Sequence, residues 1–337
     1  MGDTFAPPGA LTLFLGGDDV TAAFDWAAAV EALRAAYAGP VTDTMFPPRS
    51  MARGQGRWLR TLSGIAADGG LMGAKLIAAN TRNRRASYLI ALFDQETVEL
   101  RALLDGNAIT GFRTAGTTAL AVDALTRPGA VRVGVLGSGF EARNHLRALA
   151  AVRAIASVEV FSPNPGSRAA FAESLADLGL TIKSCDSARV LVEAGPDILL
   201  CAARSRDEAP LFGGEWLQPG VTLASIGSTL PEQRELDPRS LERAALIVAD
   251  MPDEVAQDTG DMIAARNAGL TLEDRIVPLA DLIGGRHPGR GSAEDIVIYK
   301  SVGGALQDLA VAAMCFQRAA ALGLGHSLTE TIRPVQK

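Results

Sequence analysis

The stretch from Val131 to Arg143, Val-Arg-Val-Gly-Val-Leu-Gly-Ser-Gly-Phe-Glu-Ala-Arg, constrains the fold more than any other part of the chain. The apolar run Val131 to Leu136 stops at Gly137-Ser138-Gly139, and a helical pattern follows with Ala142, Leu146 and Leu149 on one face. Strand, tight glycine turn and helix in that order form a dinucleotide site. Gly137 takes the turn, Gly139 lets a pyrophosphate approach the backbone, and Ala142 fills the small third position of Gly-x-Gly-x-x-Gly/Ala. Free amides at the helix start point at the phosphates. With 35 glycines in the chain, the spacing alone would be weak, and it is the flanking strand and helix that separate a cofactor site from a plain turn. Gly137, Ser138, Gly139, Phe140 and Glu141 are the first cofactor-binding candidates.

From this turn onward, short apolar strands alternate with helical stretches: Val131 to Leu136, Val158 to Phe161, Ile198 to Ala202, Val221 to Ile226 and Leu246 to Ala249. Strands that are apolar throughout suit a parallel sheet covered on both faces, so the fold class is α/β with a Rossmann-type doubly wound parallel sheet. Ile296 to Tyr299 adds a candidate last strand before a helix from Gly304 to Leu322. The first 125 residues read as an α+β substrate-binding or oligomerisation domain. A helix is predicted from about Asp18 to Ala38, capped by Asp18 or Asp19. Short strands with glycine turns follow, including Leu71 to Ala78, Ser87 to Asp94 and Thr97 to Leu104, and Asn107 to Leu125 is helical. Arg127-Pro128-Gly129 punctuates the two parts.

A chain of 337 residues has room for two cores, and 48% apolar against 21% charged residues is the balance of an ordered globular protein. A formal charge of -6 without a Lys/Arg block argues against a nucleic-acid partner, while local basic residues still suit a small anionic substrate. Cys185, Cys201 and Cys315 are far apart and are expected as buried free thiols. Together with His145, His287 and His326 they show no zinc-site spacing, so no metal is predicted. No secretory signal and no bilayer-spanning apolar run is expected, and the sequence reads as that of a cytoplasmic enzyme.

Several collinear stretches resemble the ornithine cyclodeaminase/mu-crystallin family. They are Phe46-Pro-Pro-Arg49, Gly73-Ala-Lys75, Leu104-Asp-Gly106 with Arg113-Thr-Ala-Gly116, and the nucleotide turn. Ile226-Gly227 with Pro231 and Arg234-Glu-Leu236 follow, then Tyr299-Lys-Ser301 with Gly304 and Asp308. The resemblance implies a homodimer of two-domain protomers with a substrate cleft between the domains. Residues 1–125 plus 304–337 form the substrate-binding/dimerisation domain, and residues 126–303 the Rossmann dinucleotide-binding domain. The chemistry it implies is hydride transfer between a nicotinamide and the Cα=N bond of an α-imino or α-amino acid.

Arg49, Lys75 and Arg113 stand at the family's carboxylate-binding positions, where a planar guanidinium pins the substrate. As isolated cations they would be solvated surface residues. Against that, Lys75 is embedded in an apolar strand and Arg113 lies in a small-residue helix start. Lys75 is also a candidate to supply a proton or polarise the imine. Thr229 stands where cyclodeaminases carry an aspartate, and a hydroxyl orients water or hydrogen-bonds an imine but is no carboxylate base. This favours an NAD(P)H-dependent imino-acid (ketimine) reductase over an ornithine or lysine cyclodeaminase. A mu-crystallin-like ligand-binding protein is a third reading. Arg82, Arg84 and Arg85 form either a solvated loop or a grip for a second carboxylate, as in iminosuccinate.

NAD-specific domains carry an acid about twenty residues past the glycine turn. Here the second strand is followed by Phe161-Ser-Pro-Asn-Pro-Gly-Ser-Arg168. Ser162, Asn164 and Arg168 can accommodate a 2′-phosphate, so NADP(H) is favoured over NAD(H). The alternative is that Arg168 merely begins a solvated helix. Lys300 and Ser301 are candidate cofactor residues by family position, with support of the domain junction equally open. Ala202 and Glu141 replace a threonine and a glutamine common near the cofactor.

Overall fold

The computed structural model describes residues 11–203, 209–329 and 332–336. Among the described residues the strands are β1 (Thr12–Leu15), β2 (Ser50–Gly54), β3 (Arg57–Ile65), β4 (Leu71–Asn80), β5 (Arg85–Asp94), β6 (Leu100–Asp105), β7 (Val131–Leu136) and β8 (Ile155–Phe161). They continue with β9 (Ile182–Ser184), β10 (Ile198–Cys201), β11 (Thr222–Ser225), β12 (Ala244–Ala249), β13 (Ile276–Pro278), β14 (Ile296–Lys300) and β15 (His326–Leu328). By its contacts the chain divides into two units, Met1–Arg113 with Gly304–Lys337, and Thr114–Gly303. The division falls inside the helix Gly106–Leu125, upstream of the Arg127-Pro128-Gly129 punctuation.

The second unit holds one sheet in the order β13-β12-β14-β11-β10-β7-β8-β9. Every pairing in it is parallel. The central strands β10, β11 and β14 are buried along their whole length, which is why their sequences are apolar without alternation. Strand order reverses at β7, with β8 and β9 on one side and β10 and β11 on the other. In open parallel sheets a ligand crevice forms at the carboxyl end of such a switch point. The glycine turn follows β7 directly and therefore sits there. The short edge strands β9 and β13 lie in stretches where the sequence pattern signals no strand.

The first unit is built on the order β15-β1-β6-β5-β4-β3-β2. From β2 to β6 the strands form an antiparallel meander, and β1 adds in parallel beside β6. The helix Ala305–Leu322 packs across β3, β4 and β5 and against the helix Trp26–Ala38. One face of the meander is thereby covered.

Two local expectations are corrected. The predicted helix from Asp18 to Ala38 is two helices, Gly17–Ala23 and Trp26–Ala38. Asp25 breaks it, because its side chain accepts the Ala28 amide at 2.8 Å and so caps the second helix. Asp19 accepts the Gly16 amide at the start of the first. Thr97 to Glu99 precede β6 rather than begin it, since Asp94 Oδ1 accepts the amides of Glu96 and Thr97 and closes a turn.

Candidate active site

At the end of β7, Gly137 has φ 114°, and a Cβ there would lie 2.5 Å from the Ala202 carbonyl oxygen. Only glycine passes this close to the end of β10 without displacing it. Gly139 is the N-cap of the helix Phe140–Val152, with no side chain capping the amides, and a Cβ on it would meet nothing within 4 Å. Open space and uncapped helix amides fit an anionic pyrophosphate, so Gly137, Ser138, Gly139 and the first helical residues can hold a dinucleotide. Ala142 is fully buried, as the small third position requires. Phe140 is exposed and Glu141 stands in the first helical turn.

Beyond β8, the Ser162 and Ser138 hydroxyls hydrogen-bond at 2.9 Å, tying the two loops together. Asn164 accepts the Ser167 amide and caps the helix Pro165–Glu173. The Arg168 guanidinium donates to the Ser162 carbonyl oxygen and lies over the Phe161 ring, 5.8 Å from its centroid. Arg168 is therefore folded back on the strand end rather than beginning a solvated helix face.

The loop after β11 carries Thr229, whose amide and hydroxyl lie 3.1 and 3.0 Å from Gln233 Oε1. A backbone amide can only donate, so the carboxamide oxygen faces Thr229 and the hydroxyl must donate to it as well. Thr229 is left with hydroxyl lone pairs to offer. Below this loop is a buried polar cluster. Lys300 Nζ donates to Asp261 Oδ2 at 2.6 Å and to Ser225 Oγ at 3.2 Å, Ser225 donates to Glu235 at 2.8 Å, and Asp261 Oδ1 accepts the Glu235 and Leu236 amides. The ammonium pairs directly with Asp261 and reaches Glu235 only through Ser225, and burial pushes the Glu235 carboxyl up to about 8, with Asp261 adding to the rise.

In the first unit, Lys75 projects from β4 onto the covered face of the meander. It is 1% exposed, its ammonium donates to Asp308 at 2.8 Å, and it lies over the Tyr88 ring. Arg113 donates from Nε to the same Asp308 oxygen at 3.2 Å and from Nη1 to Gln307 at 2.7 Å. Asp308 and Gln307 come from the first turn of the helix Ala305–Leu322, and Gln307 also donates to the Tyr37 hydroxyl. Asp308 Oδ2 has no hydrogen-bond partner although the residue is fully buried. Burial pushes the Lys75 ammonium down to about 8. Asp308 opposes the shift, and the positive charges of Arg113 and Arg60 add to it. A lysine poised there can serve both as an anion ligand and as a proton donor near neutral pH.

A sequence profile of the ornithine cyclodeaminase/mu-crystallin family matches residues 20–322. The chain belongs to this family. Like its relatives, this family member has the Rossmann-type α/β fold. It is 33% identical to the iminosuccinate reductase of Paracoccus denitrificans over 225 residues, 66% of this chain and 68% of that protein. The crystal structure of that reductase in complex with NAD+ superposes with a TM-score of 0.86 at 26% identity, covering 95% of this chain and all of the other (100%). The Thermococcus litoralis Δ1-pyrroline-2-carboxylate reductase in complex with NADH and L-proline superposes at 0.84, also at 26% identity, covering 94% and 100%.

Within this family member, the structure gathers Lys75 and Arg113 but not every expected residue. Arg49 is half-buried one residue before β2. Arg84 and Arg85 are exposed at the β4–β5 hairpin, where Arg84 has φ 55°. Arg85 pairs with Asn80, and alternation from Lys75 opposite Ile90 sends Arg85 to the other face of the sheet. These two are therefore not brought to Lys75. Lys300 and Ser301 are held inside their unit, Lys300 by Asp261 and Ser301 by Asp250 at 2.6 Å, so both support loops instead of lining an open pocket. The sequence reading missed Gln233, Gln307 and Tyr88, and quoted Glu235 and Asp308 without a role. A buried acid or amide in the first turn of an apolar helix is the signal that could have flagged Gln307 and Asp308. Among the described residues no helix is long and apolar enough to cross a membrane, and no group of three His, Cys, Asp or Glu is placed to hold a metal.

Proposed function

We propose that this protein is an NAD(P)H-dependent reductase of α-imino acids, running as an amino-acid dehydrogenase in the reverse direction, with dicarboxylic imines such as iminosuccinate among its substrates. The observation that carries the reading is the buried Lys75 ammonium, paired with Asp308 and set beside Arg113. Arg113 and Lys75 hold the substrate carboxylate, and Arg49 adds to that grip. The chemistry a reduced nicotinamide would supply, when bound, is the hydride for the imine carbon. As the C=N electron pair moves onto nitrogen, Lys75 gives up the proton that completes the amine, and Asp308 holds the lysine in place for reprotonation. Thr229, with its hydroxyl proton committed to Gln233, offers acceptor lone pairs but no acid or base.

This arrangement also separates reduction from cyclodeamination. Activating a water to expel ammonia calls for a carboxylate base, and Thr229 is none. The glycine turn and the first residues of the following helix hold the pyrophosphate. NADP(H) is the preferred cofactor in this reading, supported by Ser162 in place of an acid at the end of β8 and by Arg168 beside it. The working assembly is a homodimer.

The test is a screen of 2-oxo acids with ammonia or methylamine, together with cyclic imines, followed as NADPH and NADH oxidation. Net oxidation with an α-imino acid, faster with NADPH, is expected. Conversion of ornithine to proline with ammonia release and no net cofactor consumption would overturn the reductase reading. Faster initial rates with NADH would overturn the cofactor preference alone.

A further inference from the structure

We infer that Arg57, Asn80 and Arg85, one cross-strand row at the hairpin tips of the meander, bind the phosphate of a small organic phosphate at a site separate from Lys75. The inference stands whichever imine the enzyme reduces, and it gives a role to arginines that the Lys75 cluster leaves unused.

Strand register builds the row. Gly54 stands opposite Arg57, Arg57 opposite Asn80 and Asn80 opposite Arg85. Asn80 and Lys75 have opposite parity on β4, so alternation sends this row to the face of the sheet that Lys75 does not occupy. The next row on that face is Ala52, Leu59, Ala78 and Ser87, all exposed. The two rows line an open hollow of about 510 Å³, a size that suits a small molecule. The tips that frame it are tied to each other, since the Thr81 amide and hydroxyl both donate to the Gly56 carbonyl oxygen, at 2.9 and 3.0 Å. Arg57 and Arg85 therefore project from a fixed frame.

The row offers donors only. The Arg82 amide donates to Asn80 Oδ1 at 3.1 Å, and because a backbone amide can only donate, that atom is the carboxamide oxygen and Nδ2 keeps both its N–H groups. Among the described residues, the Arg57 and Arg85 guanidiniums and Asn80 Nδ2 have no hydrogen-bond or ion-pair partner. Residues 49–87 hold seven arginines and Lys75 against one acid, Asp68, which stands in the turn between β3 and β4 at the far end of the strands. The tips thus lack a carboxylate of their own, and positive potential gathers there in a chain whose formal charge is -6. Arginines on a hairpin tip alone would be a solvated end. Two guanidiniums flanking an amide, about 10 Å apart at the backbone by strand spacing, instead reach in toward one anion. A phosphate ester presents three terminal oxygens, one each for Arg57, Asn80 and Arg85, where a carboxylate presents two. Ala52, Leu59 and Ala78 then give the organic group of the ester an apolar floor.

The experiment is calorimetric titration of the full chain with phenyl phosphate, inorganic phosphate and benzoate, with NADPH or NADH, whichever binds more tightly, kept saturating so that the glycine turn is filled. Phenyl phosphate is expected to bind best. Inorganic phosphate leaves the apolar floor uncovered and benzoate has two oxygens, so each is expected to bind about fivefold more weakly. Arg57→Gln and Arg85→Gln are each expected to weaken phenyl phosphate about 10-fold and to flatten its salt dependence. Both residues are exposed, so melting temperature and cofactor binding should stay as in wild type and serve as the control for folding. No binding of phenyl phosphate to wild type, or binding unchanged in both variants, overturns the inference. Benzoate binding as tightly overturns the choice of a phosphate, and inorganic phosphate binding as tightly overturns the organic group. Dissociation of a dimer in the variants, with no anion bound by wild type, would place a second copy's carboxylates on the row and overturn the inference as well. None of these results bears on imine reduction, so the reductase reading stands or falls by its own screen.

Discussion

Burying an ammonium between apolar strands is costly, and Lys75 tolerates it because Asp308 meets it at 2.8 Å from the first turn of an adjacent helix. The cost shows as a pKa brought down to about 8 by burial, with Arg113 and Arg60 adding to the drop. In the proposed reaction the reduction consumes a proton that Lys75 would supply, so the protonated lysine is the expected active form, and it is lost as pH rises through its pKa. The kcat/KM profile for imine reduction is therefore expected to have a descending limb near pH 8. The corresponding limb of kcat should lie higher, because a bound substrate carboxylate favours the charged lysine. Lys75→Met is expected to lower kcat/KM by about 10²- to 10⁴-fold. A pH-independent kcat/KM between 7 and 9.5 in wild type would exclude Lys75 as the proton donor.

At the scale of elements, the junction between β7 and the helix Phe140–Val152 rests on the backbone of Gly137. Its φ of 114° and the approach of the Ala202 carbonyl leave no room for a side chain. Gly137→Ala is expected to cost about 1–3 kcal/mol of stability. It should also weaken dinucleotide binding at least tenfold, because the helix amides move off the phosphates. Thermal melting and a fluorescence titration with NADPH check both effects, and a variant that binds as wild type does would show that the turn tolerates the substitution. This element was readable from sequence because strand, turn and helix are consecutive, and each carries its own local period. The break at Asp25 was not, since an acidic residue between Phe24 and Trp26 fits a continuing helix equally well by pattern. Stacking of Phe24 on Phe112 and the Asp25 cap settle the ending and the restart.

At the scale of the whole molecule, the stability of the second unit is tied to pH through the cluster under the Thr229 loop. Glu235 is fully enclosed, and its carboxyl is raised from 4.5 to about 8, chiefly by burial. The folded state therefore holds a proton that the unfolded chain releases above about pH 4.5. The resulting stabilisation is complete below that pH and is lost as pH rises through about 8. Denaturant unfolding at intervals from pH 5 to pH 8 is expected to show wild type losing stability relative to Glu235→Gln, whose amide cannot ionise. Parallel curves for the two proteins would mean that Glu235 is already charged in the fold.

The amino-acid order alone was enough for the doubly wound sheet, the glycine turn and the cationic character of Lys75 and Arg113, because each is written in residues a few positions apart. Apolar strands without alternation announce a covered parallel sheet, and a lysine inside such a run announces a buried charge. Only the fold could bring Asp308 and Gln307 from the far end of the chain to Lys75 and Arg113, and only pairing register could put Arg60 on their face and Arg85 on the other. A strand shows its two faces to sequence as a period of two, but which face meets which helix depends on contacts between distant segments. For the same reason sequence did not show how Lys300 and Ser301 are held: their partners, Asp261 and Asp250, lie on other elements of the same unit.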